Sequence, residues 1–182
     1  MYTDKRPAVF LDRDGVLNEE KSYICSVQDL LIFPYVKECI DRIKKKGYYA
    51  IVITNQSGVA RGLFTEEELK EMNRYLIQQT GVDAVYYCPH HPSGIVSQYR
   101  KNCGCRKPEI GLLKQADLDY HIDMEHSYMI GDRAGDILTG QKMGIKTVLL
   151  ESGYGSEGLE EQVSPDYIFK DLRDTVHMLF ID

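Results

Sequence analysis

Short apolar runs alternate along the chain with segments in which apolar residues recur every three or four positions. The runs predict buried β-strands at 7–12, 48–54, 84–88, 127–132, 146–150 and 167–169. The segments between them predict helices at 35–46, 65–79, 109–119, 134–143 and at the end of the chain. Strands that alternate with helices are typical of an α/β fold, here a Rossmann-like, doubly wound, mostly parallel sheet with flanking helices.

Composition and charge narrow the class of protein. The 182 residues predict a single domain over 1–182, and a net charge of −6 argues against binding to nucleic acid or to an anionic membrane. No apolar run approaches the roughly 18–20 residues of a membrane span, and the sequence has no signal-peptide pattern. We therefore expect a cytoplasmic protein. The chain shows no coiled-coil pattern, which favours a monomer.

Polar motifs follow three of the predicted strands: "DRDG" at 12–15, "TNQSG" at 54–58 and "GDRAGD" at 131–136. A single carboxylate at a strand end commonly caps a helix or forms a turn. Parallel strands, however, share one carboxyl edge, where ligands bind. The residues expected to converge there are Asp12, Asp14, Thr54, Asn55, Asp132 and Asp136.

The charge of this predicted edge favours a bound cation. Clustered carboxylates repel one another, and oxygen ligands at few fixed positions suit Mg²⁺, which keeps several waters and binds phosphate oxygens. An Asp beside Mg²⁺ can attack phosphorus and form an aspartyl-phosphate. Thr54 offers a hydroxyl and Lys107 a positive charge for the phosphoryl oxygens. These residues predict phosphoryl-transfer chemistry.

The loop after the third predicted strand, residues 88–105, contains a second candidate metal site. It carries a C-x-H pair, Cys88 and His90, and a C-x-C pair, Cys103 and Cys105. Three thiolates and one imidazole form the tetrahedral set usual for structural Zn²⁺. An odd number of cysteines without an export signal favours metal, although a Cys88–Cys103 disulfide and incidental surface thiols are the alternatives. The zinc would brace the loop and position the two basic residues that follow it.

In this order along the chain, "DRDGV", "TNQSG", "RKP" and "GDRAGD" resemble the four motifs of the haloacid dehalogenase (HAD) superfamily of phosphatases. The resemblance implies that Asp12 is the nucleophile and that Asp14 is the general acid/base, whose pKa we expect to be raised in the site. It also implies that Asp12, the Asp14 main-chain carbonyl and Asp132 hold Mg²⁺. The other implied residues are Thr54 and Lys107, which stabilise the phosphoryl group, and the supporting carboxylate Asp136.

Within the superfamily, "YYCPHHP" and "CGCRKP" resemble the D-glycero-D-manno-heptose 1,7-bisphosphate phosphatases and the related histidinol-phosphate phosphatases. The long segment between the two ligand pairs resembles the heptose branch, which implies hydrolysis of the 7-phosphate in nucleotide-activated heptose biosynthesis. Basic residues that agree with a second phosphate or a hydroxyl-rich sugar are Arg61, Arg100, Lys101 and Arg106. The implied substrate contacts are Glu20, Lys21, Ser22, Tyr23, Asn55, Gln56, Ser57, Arg106 and Arg133.

Larger HAD members insert a cap domain after the first or second motif. Here those intervals hold one or two predicted helices and the zinc loop, so we expect no large cap domain and an open site that favours hydrolysis. Three alternatives stay open. They are a histidinol-phosphate phosphatase, a phospho-accepting receiver domain, whose acceptor Asp lies on a later strand, and a binding module with a dead phosphatase site.

Overall fold

Six parallel strands form one sheet in the order β3-β2-β1-β4-β5-β6 in the computed structural model, which describes residues 5–159 and 163–181. The strands are β1 Arg6–Leu11, β2 Tyr49–Asn55, β3 Ala84–Cys88, β4 Ile122–Gly131, β5 Lys146–Leu150 and β6 Tyr167–Phe169. The chain winds outward in one direction from β1 and in the other from β4, which confirms the predicted doubly wound fold. The switch point between these two strands is where such folds bind ligands.

Within the described residues, five α-helices connect or follow the strands. They are α1 Val36–Lys45, α2 Glu66–Thr80, α3 Gly111–Tyr120, α4 Ala134–Met143 and α5 Leu172–Leu179. The four helices predicted with bounds agree with α1 to α4 to within two residues, and α5 is the helix predicted at the end of the chain. Strand β4 begins five residues earlier than predicted, at Ile122, and its register against β1 shifts between Pro7 and Val9. The added residues, "IDMEH", are mostly polar and partly exposed, so they lack the apolar pattern that marks a buried strand.

The sheet separates two apolar layers. On one face, alternate strand residues such as Val9 and Leu11 pack against α1, α2 and α5, and on the other face Ala8 and Phe10 pack against α3. All four of these β1 residues are fully buried. Because both faces of a central parallel strand are covered, the sequence shows a continuous apolar run there instead of alternation.

The segments that leave the carboxyl edge are short. Between β1 and β2 the chain forms a 3-10 turn at Val27–Asp29 and helix α1, and between β2 and β3 it forms α2. Neither interval contains a separate cap domain, as predicted. Among the described residues, no helix has both the length and the apolar character needed to cross a membrane.

Candidate active site

At the centre of the carboxyl edge, the Lys107 ammonium lies between two buried carboxylates. Its Nζ is 2.9 Å from Asp12 Oδ1 and 2.5 Å from Asp136 Oδ1, and it donates to the Ile53 carbonyl at 2.8 Å. Burial alone would lower the pKa of Lys107, but the two carboxylates raise it above its ordinary value. Asn55 fixes the backbone of Lys107 through two hydrogen bonds. The Asn55 side-chain nitrogen donates to the Lys107 carbonyl, and the Asn55 side-chain oxygen accepts from the Lys107 backbone amide. The structure therefore holds a fixed positive charge beside Asp12.

The carboxylates outnumber this single ammonium. Oxygens of Asp12, Asp132 and Asp136 lie within 4.8 Å of one another. Burial raises the pKa of Asp132 to about 7, helped by the other two carboxylates, and burial raises the pKa of Asp12 to about 6 despite Lys107. Asp132 Oδ2 accepts from the Tyr154 amide at 2.9 Å, but its buried Oδ1 has no hydrogen-bond partner among the described residues. An enclosed carboxylate oxygen without a donor, in a cluster short of positive charge, fits a hard divalent cation such as Mg²⁺.

Asp14 is held by three donors. The Arg13 guanidinium binds both carboxylate oxygens at 3.0–3.1 Å, and Asn18 and Gln56 each donate at 2.9 Å. Burial alone would raise the pKa of Asp14, but Arg13 and the two amide donors together lower it below its ordinary value. The expectation of a raised pKa is therefore wrong for this arrangement. That expectation came from the proton that a general acid must donate, and it omitted Arg13, whose side chain is only 1% exposed and is turned onto Asp14.

Gln56 connects this network to Thr54. Its Nε2 donates to Thr54 Oγ1 at 3.0 Å, and its Oε1 accepts from Arg13 Nη2 at 3.1 Å. The backbone amide of Gln56 donates to the carbonyl of Cys88, which connects the loop after β2 to the end of β3. Because the Thr54 oxygen accepts here, the hydroxyl hydrogen of Thr54 stays available to another acceptor.

Above these residues lies a cavity of about 310 Å³. Its floor includes Asp12, Asp14 and Lys107, and its wall carries three arginines. The sequence-predicted substrate contacts that line it are Glu20, Ser22, Tyr23, Asn55, Gln56, Ser57, Arg106 and Arg133. Lys21 does not line this cavity. It is exposed, with its ammonium 3.8 Å from Glu19.

Sequence reasoning missed several residues of the site. Ile24 lines the cavity without a recognisable signal, and Gly58 and Gly135 line it as motif residues to which no role was assigned. Of the basic residues considered for a second phosphate, Arg61 and Arg106 line the cavity, whereas Arg100 and Lys101 do not. The loop after β5 also contributes: a Cβ at Gly153 would overlap the Asp132 carboxylate, and Arg133 stacks on the Tyr154 ring with its guanidinium carbon 3.8 Å from the centroid. The glycines of "ESGYG" were the available signal, because a backbone that closely approaches a buried side chain requires glycine. They do not by themselves indicate which side chain is approached.

The side chains predicted to bind the second metal lie close together, in a group that could hold a metal ion. The sulfurs of Cys88, Cys103 and Cys105 lie 3.2–3.4 Å apart, and His90 Nδ1 is 3.4 Å and 3.7 Å from two of them. Tetrahedral zinc with 2.3 Å bonds would place its sulfurs about 3.8 Å apart, about half an ångström farther apart than they lie here. All of these cysteines are free, so no Cys88–Cys103 disulfide forms. Glu66 of α2 braces the loop, since it accepts hydrogen bonds from the hydroxyls of two tyrosines, Tyr87 and Tyr99.

Comparisons with known proteins agree with this geometry. A family model described as HAD-hydrolase-like matches residues 104–175. D-glycero-beta-D-manno-heptose-1,7-bisphosphate 7-phosphatase of Haemophilus ducreyi is 37% identical over 177 residues, covering 94% of this chain and 97% of that protein. The corresponding alpha-heptose enzyme of Photorhabdus laumondii is 38% identical over 179 residues, covering 93% of this chain and 96% of that protein.

A solved structure agrees as well. The crystal structure of D,D-heptose 1,7-bisphosphate phosphatase from B. bronchiseptica, complexed with magnesium and phosphate, superposes with a TM-score of 0.81 at 29% identity. The match covers 95% of this chain and 97% of that chain. The four motifs, the sheet order and these relatives lead to one assignment. The chain belongs to the heptose-1,7-bisphosphate 7-phosphatase family of the HAD superfamily and is a phosphoric monoester hydrolase.

Proposed function

We propose that this enzyme hydrolyses the 7-phosphate of D-glycero-D-manno-heptose 1,7-bisphosphate, with Mg²⁺, through an aspartyl-phosphate intermediate. The observation that carries the proposal is the cavity itself. A carboxylate pair and a buried lysine form its floor, while Arg61, Arg106 and Arg133 stand in its wall. Such a cavity suits a sugar with one phosphate at the floor and a second at the wall. The names of the relatives support the same substrate.

The first half-reaction begins at the Asp12 carboxylate. Asp12 Oδ1 accepts from the Arg13 amide at 2.8 Å and from Lys107, which leaves Oδ2 to attack phosphorus. The bond from Oδ2 to phosphorus forms, the bond from phosphorus to the sugar oxygen breaks, and Asp14 gives a proton to that oxygen. Asp14 must first take up this proton, because its pKa is lowered in the free site, and the negative charge of the bound phosphate opposes that lowering. Lys107 and the Thr54 hydroxyl stabilise the charge on the phosphoryl oxygens. In the second half-reaction a water oxygen forms a bond to phosphorus and its proton passes to Asp14. The bond between phosphorus and Asp12 Oδ2 breaks, which regenerates the Asp12 carboxylate and releases phosphate.

Two metals complete the proposal. Asp12, the Asp14 main-chain carbonyl and Asp132 would hold Mg²⁺, which when bound neutralises negative charge on the phosphoryl oxygens. The four-ligand cluster of the 88–105 loop would hold structural Zn²⁺. That loop ends directly before Arg106 and Lys107, so a fixed loop positions both side chains.

Histidinol phosphate is the alternative substrate. Its cationic amine requires an acidic partner, but the cavity acid Glu20 is already paired with Arg133, at 3.2 Å. The remaining wall charges are arginines, which repel a cation. The charge of the wall therefore favours the bisphosphate. Relatives of both anomeric specificities match the chain, so the anomer is an outcome of the test.

The test is phosphate release by the purified protein with Mg²⁺, on both anomers of the heptose bisphosphate, fructose 1,6-bisphosphate and histidinol phosphate. We expect a heptose bisphosphate to lead by about 100-fold in kcat/KM, which is about 2.7 kcal/mol of transition-state preference. If histidinol phosphate leads, the proposed substrate is wrong. If no compound is turned over, the proposed activity is wrong. A single domain, a cytoplasmic location and a monomeric state stay predictions. Light scattering measures the oligomeric state.

A further inference from the structure

The side chain of Arg13 is fully buried, and the proposed reaction gives it no role. It is 1% exposed, and its only carboxylate partner within the described residues is Asp14. The Arg13 amide donates to Asp12 Oδ1 at 2.8 Å, and the Arg13 carbonyl accepts from the Leu17 amide at 2.9 Å. Both the backbone and the side chain of Arg13 are therefore fixed before any ligand binds.

The Asp14 carboxylate accepts four hydrogen bonds, two on each oxygen. Arg13 Nε and Asn18 Nδ2 donate to Oδ1, at 3.1 and 2.9 Å. Arg13 Nη2 and Gln56 Nε2 donate to Oδ2, at 3.0 and 2.9 Å. A carboxylate has about four lone-pair sites, so all of them are occupied. A proton can pass between Asp14 and a sugar oxygen only after one of these donors leaves its site.

Gln56 is the donor that a substrate can displace. It lines the cavity together with Asp14, whereas Arg13 and Asn18 do not line the cavity and are fully buried. Gln56 Nε2 also contacts a second acceptor, Thr54 Oγ1, at 3.0 Å, so the nitrogen keeps a partner when it leaves Oδ2. Oδ2 is therefore the oxygen that becomes free, while Arg13 and Asn18 hold the carboxylate in place.

The forked contact of Arg13 determines where this oxygen points. Two nitrogens of one planar guanidinium contact the two carboxylate oxygens, which fixes the rotation of the carboxylate as well as its position. An ammonium group is a single point charge and cannot fix that rotation. Arg13 Nη2 also donates to Gln56 Oε1 at 3.1 Å, so Arg13 orients the displaceable donor too.

We propose that Arg13 is a positioning residue that aims Asp14 Oδ2 at the leaving sugar oxygen, and that the sugar oxygen replaces Gln56 as the partner of Oδ2. The inference rests on the proposed function and adds to it the atom of Asp14 that transfers the proton. The proton moves from Oδ2 to the sugar oxygen as the bond from phosphorus to that oxygen breaks, and the electron pair of the bond stays on the sugar oxygen. Arg13 touches neither the sugar nor the phosphoryl group.

The first test varies how much the leaving group needs a proton. A sugar alcohol requires one, whereas p-nitrophenolate leaves without it. For Arg13→Lys, which keeps the charge but loses the fork, we expect kcat/KM on the heptose bisphosphate to fall about 10- to 100-fold, and on p-nitrophenyl phosphate less than about threefold. Equal losses on both substrates would overturn the proposal, because a merely structural role predicts them.

The matched control is Arg6→Lys. Arg6 stands at the other end of β1, and its guanidinium donates to two backbone carbonyls at 2.6–2.7 Å. Its replacement also removes a forked contact, but far from the carboxyl edge of the sheet. It should therefore change kcat/KM on the two substrates by the same factor.

A double-mutant cycle separates positioning from stability. In an Asp14→Asn background the acid is absent, so adding Arg13→Lys should cost less than about threefold in kcat/KM, whereas independent structural losses would multiply. Multiplied losses would thus contradict the role of Arg13. The cycle uses the phosphate ester that the parent hydrolyses fastest, so it does not depend on which substrate leads.

A crystal structure of the parent with Mg²⁺ and orthovanadate tests the geometry without turnover. The apical vanadate oxygen stands in for the leaving sugar oxygen. We expect this oxygen within about 3 Å of Asp14 Oδ2, with Gln56 turned away from Oδ2. An apical oxygen beside Oδ1, or Gln56 still on Oδ2, would overturn the inference, and this outcome is decided even if Arg13→Lys does not fold. A parent that ignores heptose bisphosphate overturns the proposed function, while the cycle and the vanadate structure still decide the role of Arg13.

Discussion

Replacing Lys107 with methionine should destabilise the protein, because the Lys107 ammonium offsets the repulsion between the buried carboxylates of Asp12 and Asp136. Lys107 contacts carboxylate oxygens of Asp12 and Asp136, and its side chain is 3% exposed. Methionine keeps a similar length and fills the same buried space without the charge. The variant therefore leaves carboxylates in a buried site with no cation beside them.

The magnitude follows from the burial of both partners. Removing one member of a buried ion pair costs about 3–5 kcal/mol, because the other charge stays buried and unpaired. We expect the free energy of unfolding at pH 7.5, in the presence of a metal chelator, to fall by this amount. A domain of this size has about 5–15 kcal/mol in total, so the variant would be folded but much weakened. At pH 5 the loss should be smaller, because the unpaired carboxylates take up protons and lose their charge.

Urea unfolding at the two pH values measures the loss, and phosphate release measures the activity, which should also fall. Lys142→Met is the control, because Lys142 also forms a 2.8 Å ion pair, with Glu109, but on the surface. It should cost at most about 1 kcal/mol. A Lys107→Met variant within about 1 kcal/mol of the parent at pH 7.5 would refute the reasoning. An equal loss at both pH values would also contradict it, since the buried carboxylates would then not be the source.

Four further predictions test the site. Asp12→Asn should lower phosphate release at least about 10³-fold without changing the circular dichroism spectrum, and residual activity near the parent value would exclude Asp12 as nucleophile. The pKa of Asp132, raised to about 7 from 3.8, means that the folded state binds more protons than the unfolded chain between about pH 4 and 7. The metal-free protein should therefore lose stability as the pH rises through this window. Mg²⁺ should raise Tm more at pH 7.5 than at pH 5, and equal increases in Tm at the two pH values would count against a metal at Asp132. Cys105→Ser should release zinc, measured by elemental analysis, and increase hydrogen exchange in the 88–105 loop, while full zinc retention would contradict the ligand set. Gly153→Ala should weaken half-saturation by Mg²⁺ about 10-fold, because its Cβ has no room beside Asp132, and Gly104→Ala, where the space is open, is the control that should leave it unchanged.

Much of the fold could be read from the chain because the strands are covered on both faces. Strands β3, β5 and β6 begin and end where the apolar runs predicted. The start of β4 was missed because its first residues are polar and lie partly outside the apolar layers. The apolar pattern of a sequence reflects burial, so a strand segment that is only partly buried is hard to recognise from that pattern.

The convergence of the motif residues was predictable for a similar reason. Asp12, Thr54 and Asp132 each stand at or directly after the carboxyl end of a parallel strand, and such ends share one edge. The pairing of cysteines and histidine in the 88–105 loop was also readable, because residues two positions apart on an extended chain point to the same side. The order of elements and the residue types were sufficient for both sites.

The sequence by itself determined the layered fold, the strand ends at which the candidate catalytic residues stand and the two groups of side chains that could hold metals, because these depend on local pattern and on strand order. Only the tertiary structure decided which neighbour each charged group meets. Arg13 turns onto Asp14 and lowers its pKa, and Arg61 meets His91 across 30 residues of chain. Such contacts depend on side-chain direction and on loops packed against one another, and neither leaves a periodic signal in the sequence.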